Sequence, residues 1–63
     1  MKIGDYVSTP RLCTVKINAI FADENEARKC GYTEPTYYSG NDYSIFGKSL
    51  DMYSMVFAAV LKH

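Results

Sequence analysis

From Arg11 to Ala22 the chain alternates, with Cys13, Val15, Ile17, Ala19 and Phe21 apolar and Thr14, Lys16 and Asn18 polar between them. Successive side chains of a strand point to opposite faces, so a period of two dictates a β-strand whose odd positions meet a core. No other segment constrains the fold as tightly. Leu12, Ile20 and Ala22 interrupt the alternation and place apolar surface on the second face as well.

A helix signal follows at once in Asp23-Glu24-Asn25-Glu26-Ala27-Arg28-Lys29-Cys30-Gly31. Asp23 can cap the free backbone N–H groups while Glu26, three residues on, reaches back, which is the capping-box pattern. Acidic residues fill the first turn, Arg28 and Lys29 the last, and Gly31 supplies the left-handed residue that ends a helix. The helix spans about two turns, with Ala27 and Cys30 on its apolar stripe. Tyr32 to Asp42 reads as a long loop, because Pro35 forces Glu34 to be extended and Ser39-Gly40-Asn41-Asp42 is turn chemistry. Tyr43 to Leu50 reads as a weaker strand interrupted at Gly47, and Met52 to Lys62 as a strand apolar on both faces and therefore central. A helix competes for that last segment, because Ala58, Ala59 and Leu61 favour one.

These elements form a β-α-β-β unit in a single α+β domain spanning 1–63. Residues 1–10 would add an edge strand or an N-terminal arm. Placing the last strand between the other two gives spatial order 1-3-2 with every pairing antiparallel. The short helix is then expected on the face lined by Val15, Ile17, Phe21, Met55 and Phe57. Leu12, Ile20, Val56, Ala58 and Val60 would remain on an apolar face that one helix cannot cover, and such patches mark interaction surfaces. A homodimer or larger homo-oligomer packed through those five residues is the expectation, and it suits a chain of 63 residues, whose core alone supplies little stability.

Seven basic residues balance seven acidic ones, so the chain has no net charge with which to gather a polyanion, and nucleic acid is not an expected partner. No apolar run approaches the roughly 20 residues of a membrane span, and Met1 to Asp5 lacks a signal-peptide core, which points to the cytoplasm. Cys13 and Cys30 lack metal or redox spacing and read as two buried reduced thiols, with a bridge between them as the alternative. With His63 as the one histidine, neither a Cys-His nucleophile nor a metal site is expected, and no cofactor is implied. Gly47-Lys48-Ser49 matches the end of a phosphate-binding loop, but Asp42 stands where that motif needs its first glycine.

The tyrosines are the best functional signal, since they give rigid contact area with a polar tip. Tyr37, Tyr38 and Tyr43, on or beside the Pro-flanked loop, are the candidate binding residues. Arg11 and Lys48, near strand ends, are candidates to meet a phosphate or an acidic partner. Tyr32 and Tyr53 are expected to pack on the sheet.

The segments Gly31-Tyr32-Thr33-Glu34-Pro35-Thr36-Tyr37-Tyr38, Gly47-Lys48-Ser49-Leu50-Asp51-Met52-Tyr53 and Phe57-Ala58-Ala59 resemble small uncharacterised proteins of phages and prophages of Gram-positive bacteria. The resemblance covers about half of the chain and carries over no site residue. It implies a non-enzymatic accessory protein that counters host defence, either by binding and inhibiting a bacterial immune protein or as an oligomeric sponge for a nucleotide signal. Single-stranded nucleic-acid binding through the same tyrosines is a third alternative, weakened by the missing basic groove.

Overall fold

The computed structural model describes residues 1–62; His63 lies outside the described residues. Five strands, β1 (Tyr6–Thr9), β2 (Cys13–Phe21), β3 (Tyr38–Ser39), β4 (Tyr43–Ser49) and β5 (Met55–Leu61), form one sheet in the order β1-β2-β5-β4-β3, with one helix, α1 (Glu24–Lys29). The sheet is mixed: β2 and β5 are parallel and the other neighbours antiparallel. This corrects the three-strand antiparallel expectation.

The physical reason lies in the stretch that reads as a loop. Glu34 donates its N–H to the Gly47 carbonyl at 3.1 Å, Tyr37 to that of Ile45 at 2.9 Å and Gly40 to that of Tyr43 at 3.0 Å, so the Pro-flanked segment runs along the outer edge of β4. A proline is tolerated there because an edge strand leaves alternate N–H groups unpaired. This extra pass along the sheet reverses the sense in which β4 and then β5 enter. The last strand therefore lies beside β2 but points the same way.

The helix forms where its caps dictate. Asp23 is extended, its Oδ1 accepts from the Glu26 N–H at 3.0 Å, and Gly31 closes the far end at φ +96°, with the Tyr32 N–H donating to the Ala27 carbonyl at 3.0 Å. α1 is six residues long. α1 thus covers a patch rather than a face.

Which face it covers is set by a bulge. Ile17 pairs with Phe57 but Ala19 pairs with Ala58, leaving Asn18 as an extra residue in β2. One extra residue flips the side-chain phase of everything after it. Val15 and Ile17 consequently share a cluster with Ile45 and Ala59, whereas Ala19 and Phe21 cross to the helix side, where Ala27, Tyr32, Phe46, Ala58 and Val60 form a second cluster. Of the residues expected under the helix, Val15, Ile17 and Phe57 are on the other face.

The five residues expected to pack subunits together are spread over the fold. Ala58 and Val60 are buried under α1 and Tyr32 with Val56 packed against them, Ile20 belongs to the opposite cluster, and Leu12 sits exposed in the β1–β2 turn. Those five residues therefore make no common face. The second face is closed within the chain, because Val7 from one edge and Tyr37 and Tyr38 from the other fold over Ile17 and Ile45.

The N-terminal stretch is an edge strand rather than a free arm. Gly4, at φ +98°, donates to the Ile17 carbonyl at 2.7 Å, and Ile17 donates back to the Asp5 carbonyl at 2.8 Å.

Candidate functional site

Four of the five candidate binding residues gather on the sheet face away from the helix. Tyr37 packs edge-on to Phe57 with ring centroids 5.6 Å apart, and Tyr38 and Tyr43 lie against each other at 5.2 Å. The Arg11 guanidinium, carried on the β1–β2 turn, sits 5.3 Å over the Tyr37 ring. Gly47 makes this packing possible, since a Cβ there would lie 2.8 Å from a Tyr37 ring carbon. The register of β4 is continuous through Gly47, so the glycine marks a close approach and not a break.

The arrangement is a lid on a core more than an open surface. All three tyrosines are half-buried, and the Tyr37 hydroxyl donates toward Met55 Sδ at 3.6 Å. Lys48 is separated from this group: its ammonium lies 5.8 Å over the Tyr32 ring, on the helix side. Arg11 and Lys48 thus stand on opposite faces and do not converge on one phosphate. Tyr32 is buried beneath Lys48, and burial first, then the neighbouring Cys30, pushes its phenol above the ordinary 10.0.

The sequence reading missed the most exposed apolar feature, at the β4–β5 turn. Met52 is 87% exposed and Tyr53 93%, with Leu50 at 57% beside them. Tyr53 does not pack on the sheet as expected, because β5 begins at Met55 and not at Met52. Asp51 accounts for the late start. Its Oδ1 accepts from the backbone N–H groups of both Tyr53 and Ser54 at 2.8 Å, while the Leu50 N–H donates to the Ser54 carbonyl at 2.9 Å. An aspartate folding the backbone in this way makes an Asx turn. The two amides, Tyr53 first, hold the Asp51 carboxyl below its ordinary 3.8.

Because β2 and β5 are parallel, the β1–β2 and β4–β5 turns share one end of the sheet. Leu12, 43% exposed, adds to the apolar surface of that end. The signal available in the sequence was Asp51-Met52-Tyr53-Ser54, an Asx-turn residue followed by two large side chains that a turn cannot bury.

Among the described residues no three His, Cys, Asp or Glu side chains converge to hold a metal, and both cysteines are free but exposed rather than buried as expected, Cys13 because it closes a turn and Cys30 because it caps the end of α1. No helix among them is long and apolar enough to cross a membrane. Comparison with protein-family models, with curated proteins and with solved structures finds no match.

Proposed function

We propose that the chain is a small non-enzymatic binding protein that grips a protein partner through the β4–β5 tip. The observation that carries this reading is the outward presentation of Met52 and Tyr53 on a turn fixed by Asp51. Tyrosine and methionine are enriched at interface cores, and a few such anchors carry most of the binding energy. A turn already held in shape loses little entropy on docking. The ionised Asp51 at its centre disfavours an anionic membrane or nucleic acid and suits a protein cleft with a basic residue.

The resemblance to phage proteins supports a narrower form, in which the partner is a bacterial immune protein that the contact inhibits. In this reading Tyr37, Tyr38 and Tyr43 support the tip end indirectly, by closing the core, and the direct contacts are Leu50, Met52 and Tyr53. No observation favours the nucleotide sponge, since Arg11 and Lys48 each already face a tyrosine ring on a different side.

Affinity capture from a Gram-positive host lysate tests the proposal, run with the wild-type chain and with a Met52→Ser, Tyr53→Ser double variant. The expected result is one protein retained by the wild type and lost by the variant, with the variant's melting temperature unchanged because neither side chain is packed. Equal capture by both, or none by either, counts against it.

A further inference from the structure

At the opposite end of β5 from the tip, the start of α1 and the adjoining ends of β4 and β5 surround a cleft of about 370 Å³. That size falls within the roughly 300–1,000 Å³ of small-molecule sites. Phe46 and Val60 give the lining its apolar character.

Two observations define what would fit. Ser44 lines the cleft, is only 6% exposed, and its hydroxyl has no hydrogen-bond partner among the described residues. Among the described residues no side-chain oxygen is sealed off without a partner, so this hydroxyl keeps some access to solvent, and Ser44 is one of the residues that line the cleft. The charged rim, by contrast, is already engaged. Asp23 caps the helix, Glu24 pairs with Arg28 at 3.5 Å, and the Lys62 ammonium donates to Ser39 Oγ and the Gly40 carbonyl at 2.8 Å each.

We propose that this cleft binds a compact, uncharged, largely apolar ligand whose single hydroxyl group hydrogen-bonds to Ser44. The rim carries charges of both signs, the carboxylates of Asp23 and Glu24 and the ammonium of Lys62, so a ligand charge of either sign meets a like charge there, whereas an apolar body extends the apolar lining of Phe46 and Val60. One hydrogen bond to an otherwise unpaired buried hydroxyl then decides between ligands of equal shape.

The test uses the whole chain, with amide chemical shifts followed during titration with p-cresol, toluene and benzoate. p-Cresol is expected to move the Ser44, Phe46 and Val60 resonances saturably, toluene to bind about 3- to 10-fold more weakly, and benzoate to leave them unmoved. Ser44→Ala should bring p-cresol down to the affinity of toluene. Should that variant fail to fold, the comparison of p-cresol with toluene on the wild type reads the same hydrogen bond. The Met52→Ser, Tyr53→Ser variant is expected to bind p-cresol as the wild type does, so the cleft stands independently of the protein contact proposed above. No saturable shift at these residues, equal affinity for p-cresol and toluene, benzoate binding as tight as p-cresol, or loss of p-cresol binding in the tip variant would each overturn the assignment.

Discussion

Cys13 closes the β1–β2 turn at φ 59°, the left-handed region that side chains avoid. Thr9 holds it there: its Oγ1 accepts from the Leu12 N–H and donates to the Cys13 carbonyl, both at 3.1 Å. The conformation costs about 1–2 kcal/mol for a residue with a Cβ, and glycine gives back ~0.5–1 kcal/mol through its freer unfolded chain. Cys13→Gly is therefore expected to stabilise the protein by about 0.5–1 kcal/mol in urea denaturation, and a loss of stability would show that the thiol packs. Asp51 carries a pH dependence of definite sign. Its folded carboxyl is depressed, so its contribution is present above the ordinary 3.8 and lost as pH falls through the folded value. Amide shifts of Tyr53 and Ser54 should titrate together with a midpoint below 3.8, and Asp51→Asn should abolish the titration. A midpoint at or above 3.8 would mean the turn is not held by the charged form.

At the scale of elements, the parts governed by local chemistry were legible and the parts governed by phase were not. The Asp23 cap, the Gly31 stop and the alternation of Thr14 to Ile17 are each written in a few neighbouring residues, and each forms as read, whereas Cys13 is exposed in the turn. The bulge at Asn18 is not so written, because an extra residue in a strand leaves no mark in the pattern when both faces are apolar afterwards. From that single residue follow the crossing of Ala19 and Phe21 to the helix side and of Ile20 to the other. The pass along the outer edge of β4 was hidden for a different reason: Pro35 and the Ser39 to Asp42 turn look like loop chemistry, and an edge strand tolerates both. Of the candidate site, the gathering of Tyr37, Tyr38 and Tyr43 was legible from their nearness on either side of the Ser39 to Asp42 turn. The exposure of Tyr53 was hidden, since it required knowing where β5 begins. Gly47 shows how tightly these elements meet. Gly47→Ala should lower stability by about 1–3 kcal/mol in thermal or urea unfolding, with part recovered by trimming Met55 to Ala, because a Cβ would press on Met55 as well as Tyr37. An unchanged stability would mean that the Tyr37 lid yields freely.

For the molecule as a whole, the fold divides its labour along β5. The middle of that strand is the core, with Ala58 and Ala59 fully buried between two clusters. One end leads into the cleft at Ser44 and the other out of the Asx turn that presents Met52 and Tyr53. The partner contact we propose would cover the two large side chains that this fixed turn leaves exposed. Site-specific photo-crosslinking in a Gram-positive bacterial lysate checks this proposal, with p-benzoyl-phenylalanine placed at Tyr53 in one sample and at Tyr37 in another. A single discrete protein adduct is expected from position 53 and none from position 37. An adduct from position 37 alone would contradict it and return the binding surface to the tyrosine lid.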